Sequence, residues 1–231
     1  MAERARIRVA TFNLHRCEGA DGVVDVSRSI AAIAATEADV IALQEIDRGL
    51  PRSGSIDQVA EIERATGLHV HFRATVRRAG GEYGIGLATS DPIDVVATDL
   101  PGGGDSEPRA ALIASIDVAG TRVAVIATHL AQGRHRTIQE LQLARLAELV
   151  SARPGLVVLM GDLNRRPGEL DVLGAAGLRA AVEAPTFPAR KPRRQLDHIL
   201  VSEGVYVVGG GSIATDASDH LPLWVALGTS N

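Results

Sequence analysis

Cysteine is almost missing from this sequence: Cys17 stands alone among 231 residues, so no internal disulfide can form and a reducing compartment is the default. Aromatic residues make up 3%, and Phe12, Phe187, Tyr206 and Trp224 lie in apolar strand contexts, which argues against a stacking platform for single-stranded nucleic acid. Lys191 is the one lysine among 24 basic residues. That composition reads more simply as a GC-rich genome than as selection for phosphate-binding forks. A net charge of −4 and a pI near 6.0 exclude a global basic field. No apolar stretch reaches ~18 residues, so no membrane span is expected. Met1 to Ile7 lacks the apolar core and cleavage site of a signal peptide. Neither Gly102–Gly104 nor Gly209–Gly211 is followed by Lys-Ser/Thr, which excludes a P-loop and leaves both as flexible turns. No Cys/His spacing suits structural zinc. The expectation is a cytoplasmic monomer.

What is present is an ordinary globular composition, 45% hydrophobic and 23% charged, in a chain long enough to bury a core. Ile7–Leu14, Val40–Gln44, Val70–Val76, Tyr83–Thr89, Ile93–Leu100, Ala110–Val118 and Thr121–Thr128 read as strands. So do Leu156–Met160, Leu196–Val201, Val205–Val208 and Pro222–Leu227. Helical spacing marks Val26–Glu37, with Ile30, Ile33 and Ala34 on one face. It also marks Ser55–Thr66, stopped by Gly67, and Arg134–Ala152, with Ile138, Leu141, Leu146 and Leu149 along one side. Gly and Pro break the chain at Gly80-Gly81, Asp91-Pro92, Pro101 to Gly104 and Ala119-Gly120. Many strands joined partly as hairpins, with few helices between, favour two packed mixed sheets with helices outside. A doubly wound parallel sheet needs a helix at nearly every crossover. No repeat or linker divides residues 1–231, so one domain is expected.

Polar residues interrupt the apolar runs abruptly: Asn13 and His15, Gln44-Glu45, Thr128-His129, Gly161-Asp162-Leu163-Asn164, Asp197-His198, and Ser218-Asp219-His220. Each alone reads as a helix cap or solvated turn. Six such points built from Asn, Glu, His and Asp suit Mg²⁺ or Mn²⁺, which takes one or two carboxylates plus water and phosphate oxygens.

In order and approximate spacing these segments resemble the endonuclease/exonuclease/phosphatase superfamily. Glu107-Pro108-Arg109-Ala110, Thr186-Phe187-Pro188 and Leu196-Asp197-His198-Ile199 are further similar segments, and the resemblance runs from about Ile7 to Leu227. It implies a four-layer α/β sandwich, two packed mixed β-sheets flanked by helices, with the strand ends at one rim. It implies Glu45 as the main metal carboxylate, with Asn13 and Asp219 completing or orienting the shell. Asp162 would deprotonate the attacking water and Asn164 would hold that carboxylate or the phosphate. His220, its tautomer fixed by Asp197, and His129 would donate to the phosphate oxygens. Arg109, after Pro108, is a candidate phosphate contact, and Tyr83 is the plausible rim aromatic.

The departures fall on the substrate wall. Ile85 stands in place of an amide, Ser90 in place of an arginine, Gln195 in place of a basic residue and His198 in place of a tyrosine. The implied activity is hydrolysis of phosphodiesters by in-line attack of an activated water, with nucleic acid slightly ahead as substrate. A phosphomonoesterase, or a lipid or small-molecule phosphodiesterase, is the alternative. A retired binding module of the same fold is the alternative of another class. The basic run Arg190-Lys191-Pro192-Arg193-Arg194 reads as a solvated loop or as an attractor for the anionic flank of a substrate. His69, His71 and His135 read as ordinary surface residues, His15 as part of a site wall, and Cys17 as lacking the context of a nucleophile.

Overall fold

Alternation in the strands builds the architecture. In the first strand, β1 (Ile7–Asn13), Val9 points to one buried cluster while Ala10 and Phe12 point to another. The same split recurs in β2 (Val40–Arg48), where Val40 and Ala42 oppose Ile41 and Leu43. A strand apolar on both faces needs a layer on each side. The computed structural model describes residues 7–118 and 120–229, with Thr229 described by its backbone alone. The Met1 to Arg6 segment and Ala119 of the Ala119-Gly120 break lie outside the described residues.

Two six-stranded mixed sheets result. After α1 (Val26–Ala35) and α2 (Gln58–Thr66) come β3 (His69–Arg78), β4 (Gly81–Thr89), β5 (Val95–Asp99), β6 (Ala110–Val118) and β7 (Thr121–His129). Then follow α3 (Arg136–Ser151), β8 (Leu156–Asp162), α4 (Asp171–Ala175), β9 (Leu178–Ala180), β10 (Asp197–Ser202), β11 (Val205–Ser212) and β12 (Leu223–Thr229). One sheet runs β11-β12-β1-β2-β4-β3 and the other β5-β6-β7-β8-β10-β9. The core between them joins Val9, Val40 and Leu223 to Leu112, Val125, Val158 and Ile199. Ile33 of α1 and Val59 and Ile62 of α2 cover the outer face of the first sheet. Leu143, Leu146 and Leu149 of α3 and Leu173 of α4 cover the second. The fold is the expected sandwich.

The helix starts follow local chemistry. Asp25 accepts from Ser27 N–H at 2.9 Å ahead of α1, and Asp57 accepts from Ala60 N–H at 3.1 Å ahead of α2. Gly67 ends α2 at φ 74°, where only glycine is unstrained. Two expectations change. Leu141 of α3 is 51% exposed, and the buried face instead runs through Gln139, Gln142, Leu143, Leu146, Leu149 and Val150. The two amides belong inside because they bond to loop backbone. Gly209–Gly211 are part of β11 rather than a turn, paired with β12 past a bulge. A Cβ on Gly210 would stand 2.7 Å from the Trp224 carbonyl oxygen, so that close approach needs glycine.

Asp47 in β2 is fully buried and accepts from Arg52 Nε at 2.8 Å, Arg52 Nη2 at 2.7 Å and Ser53 Oγ at 2.8 Å. Arg52→Ala leaves that carboxylate without its cation and is expected to cost about 3 kcal/mol, seen as a lowered urea midpoint. Arg52→Lys should recover only part, because one ammonium cannot reproduce the two-pronged contact. A loss below about 1 kcal/mol for the alanine variant would show that water replaces the guanidinium.

Candidate active site

The site forms where the middle of both sheets ends. β1 and β2 are parallel neighbours, so Asn13 and Glu45 emerge side by side. β7 and β8 are parallel neighbours in the other sheet, with His129 in register with Asp162. β10 runs antiparallel to β8 and pairs Asp197 with Asp162, so its first residue reaches the same rim. The loop before β12 is tied to β1 by Ser218 Oγ donating to the Asn13 carbonyl at 2.7 Å, and it delivers Asp219 and His220.

Glu45 reaches the rim through a register shift between Leu43 and Ile46 against β4, with its own φ at 57°. A bulge carrying a left-handed non-glycine residue is a device for re-aiming one side chain. Asn13 bridges the sheets: its Nδ2 donates to Glu45 Oε1 at 3.1 Å and to Asp162 Oδ2 at 3.0 Å. Its Oδ1 accepts from His15 N–H at 2.9 Å. With donors on one side and an acceptor on the other, the amide orientation is fixed, and Asn13 orients both carboxylates.

Asp162 is buried, and Asn164 N–H donates to its Oδ1 at 2.9 Å. Burial first, and then repulsion from Asp197, push its pKa up to about 7, which suits a group that accepts a proton near neutrality. His220 Nδ1 donates to Asp197 Oδ2 at 2.7 Å, while its Nε2 faces Asp162 Oδ2 at 3.8 Å. Burial alone would lower its pKa. Asp197 and Asp162 overcome that and push it up to about 10, so the ring is an imidazolium with Nε2–H aimed into the cavity.

His129 is the opposite case. Burial and the Arg109 charge hold its pKa well below the usual histidine range. Arg109 Nη1, which can only donate, lies 3.2 Å from Nδ1, so the proton of the neutral ring is on Nε2. Nε2 lies 3.6 Å from Asp162 Oδ2. The Asn164 amide nitrogen, 3.3 Å from Nε2, is also a donor and is held instead by donating to the Leu130 carbonyl at 3.1 Å.

A cavity of about 330 Å³ opens here, lined in part by His15, Glu45, Asp162, Asn164, Asp219 and His220. Glu45 and Asp219 are partly exposed carboxylates facing it, a hard-oxygen donor set that fits Mg²⁺ or Mn²⁺. Asp162, Asp197 and His220 form a buried group with ligand atoms within 4.8 Å of one another that could also hold a metal. For that group to bind a metal, His220 would first have to give up a proton and its bond to Asp197. A larger hollow of about 780 Å³ between Pro92 and Arg153 gathers no comparable set of acids and imidazoles among the described residues.

The remaining expectations separate. Arg109 is 4% exposed and sits behind His129, setting its tautomer. Tyr83 is 5% exposed, not a rim aromatic; Arg52 covers its ring at 5.0 Å. Its place in β4 opposite Asp47 buries it. His15 is at the wall as expected, and His69 and His71 are exposed. Cys17 is fully buried, and burial pushes its thiol up to about 12, so it is no nucleophile. His198 is buried, with Nε2 2.8 Å from the Arg165 carbonyl, so it braces the site loop from below. Gln139 was not anticipated. From α3 its Nε2 donates to the carbonyls of Ala131, Leu163 and Asn164 at 2.8, 3.3 and 3.1 Å, clamping both site loops. A glutamine in a helix carries no sequence signal of that task.

Fold and sequence together place the chain in a family of hydrolases. Residues 10–220 match the Endonuclease/Exonuclease/phosphatase family, and the chain belongs to it. Solved structures agree. The endonuclease/exonuclease/phosphatase from Beutenbergia cavernae DSM 12333 superposes with a TM-score of 0.82 at 25% identity, covering 99% of this chain and 72% of that one. A Bacteroides thetaiotaomicron mannosyl-6-phosphatase gives 0.74 at 19% identity, covering 96% and 99%. D. rerio TDP2 complexed with single strand DNA product gives 0.73 at 18% identity, covering 97% and 99%. No curated protein matches the sequence. Among the described residues no helix is long and apolar enough to cross a membrane.

Proposed function

We propose that this chain is a Mg²⁺- or Mn²⁺-dependent phosphodiesterase that cleaves its substrate by in-line attack of water. The observation that carries the reading is a single buried carboxylate, Asp162, with the Nε2 atoms of two differently charged imidazoles 3.6 and 3.8 Å away. Asp162 takes the proton of the attacking water while Asn164 N–H holds it in place. His220, kept charged by Asp197, and neutral His129 donate to the non-bridging oxygens as charge grows there. Glu45 and Asp219 would hold the metal ion, which when bound would supply positive charge to offset that of the phosphoryl group. Asn13 keeps the metal-side carboxylate and the base at fixed separation, which is positioning in the sense of a paid-in-advance geometry.

Nucleic acid is the slightly favoured substrate. The fold neighbours support both this and the alternative, since one was solved with a single-strand DNA product and another is named for a phosphomonoester. A phosphomonoesterase or a lipid or small-molecule phosphodiesterase therefore ranks second. The retired binding module ranks last, because Glu45, Asp162 and His220 are all present and joined. The protein is proposed to act as a cytoplasmic monomer, the whole chain working as one domain.

Hydrolysis of bis-p-nitrophenyl phosphate and of plasmid DNA tests the reading. Activity is expected with Mg²⁺ or Mn²⁺, lost with EDTA and restored by excess metal. Cleavage of p-nitrophenyl phosphate but neither diester would move the assignment to monoesters. Cleavage that survives EDTA would remove the metal from it.

A further inference from the structure

Four basic residues beside the site, Arg190, Lys191, Arg193 and Arg194, are exposed, and none forms an ion pair among the described residues. One of them lines the cavity: Arg194. Arg16, the other arginine there, is neutralised by Glu18 at 2.8 Å. Arg194 is seated on an aromatic ring, its guanidinium carbon 4.7 Å from the centre of Phe187, and Phe187 in turn lies 4.8 Å from the His220 ring. An unpaired guanidinium held over an aromatic face still has N–H donors to offer an anion.

The loop is held rather than loosely tethered. Arg194 N–H donates to the Phe187 carbonyl and Phe187 N–H to the Arg194 carbonyl, both at 2.9 Å. Leu221 N–H donates to the Thr186 carbonyl at 2.8 Å, and Ala189 N–H to the Asp219 carbonyl at 2.7 Å. Arg194 is thus fixed to the same loop that carries Asp219 and His220. It stands one aromatic ring away from His220 and lines the same cavity.

We propose that Arg194, seated on Phe187, forms a subsite for a second phosphate group of the substrate, beside the scissile one. This rests on the hydrolytic reading above and deepens it. A guanidinium binds phosphate through two parallel N–H donors, which favours phosphate over a neutral flank. Arg190, Lys191 and Arg193 add attraction over a longer range, screened within about 8 Å at physiological salt. The second phosphate can be a terminal monoester or the next internucleotide phosphate of a strand.

The test uses TpT, with one phosphate, against pTpT and TpTp, with a terminal one, and TpTpT, with a second internal one. Calorimetric titration in Ca²⁺ reads binding, and kcat/KM in Mg²⁺ reads turnover. Wild type is expected to prefer two-phosphate ligands by about tenfold, a preference that falls to near one in Arg194→Gln and partly returns in Arg194→Lys. Preference for pTpT or TpTp alone assigns a terminal phosphate, and preference for TpTpT an internal one. A wild-type ratio near one, or a ratio unchanged in Arg194→Gln, overturns the subsite. Failure of wild type to cleave any of these or bis-p-nitrophenyl phosphate overturns the hydrolytic reading instead, and the binding ratio still decides the subsite.

Discussion

Asp162→Asn is expected to lower kcat for diester cleavage by roughly two to four decades, the range for removing a general base. The fold should survive. Burial already disfavours the charged carboxylate, as its raised pKa shows, so a neutral amide of the same shape suits the environment. The cost is local: Asn13 Nδ2 and Asn164 N–H both donate to Asp162, and an amide can accept through one oxygen only. KM should change far less than kcat, because the base acts in the transition state. Steady-state kinetics with excess Mg²⁺, beside a circular-dichroism melt, checks this. A fall of only a few-fold with an intact fold would mean that another group takes the proton, and Asp162 would lose its role as the base.

Gly161→Ala carries the second large effect, and it is mainly one of stability. Gly161 pairs with Thr128 across the parallel strands β7 and β8. A Cβ there would lie 2.0 Å from the Thr128 carbonyl oxygen and 2.9 Å from its carbon. Those are backbone atoms at the centre of a sheet, so no rotamer change relieves the clash and the strands must part. The expected loss is about 3 kcal/mol or more, which for a chain of this size lowers Tm by roughly 6–12 °C. Activity should fall as well, because the next rung of the ladder holds His129 against Asp162. A thermal scan with an activity assay on the folded fraction separates the two. A Tm within about 2 °C of wild type would show that the rung relaxes cheaply, and the glycine would then be dispensable.

The strands were legible because both of their faces are apolar and turn residues bound them; β7 and β8 are clear examples. β9, three residues long, and α4, five residues long, carry too few residues for any period to emerge. The face of α3 was misread for another reason. Hydropathy places Leu141 inside and Gln139 outside, whereas loop carbonyls without partners reward a buried amide more than a fourth leucine. Gly209–Gly211 read as a turn because glycine is a poor strand former, yet they pair with β12, whose close approach demands glycine at Gly210.

At the site, residue identity and order were set by sequence: acids, amides and imidazoles at the ends of apolar runs, in a pattern that itself implied metal and phosphate. What each group is able to do was decided only by the tertiary structure. Two histidines with the same intrinsic chemistry become a cation and a neutral donor, because Asp197 faces one and Arg109 the other. Tyr83 goes inside and Arg194 stays at the rim, though either is a reasonable wall residue by type. Charge state and exposure depend on neighbours far apart in the chain, and only the packing of the two sheets brings those neighbours within a few ångströms.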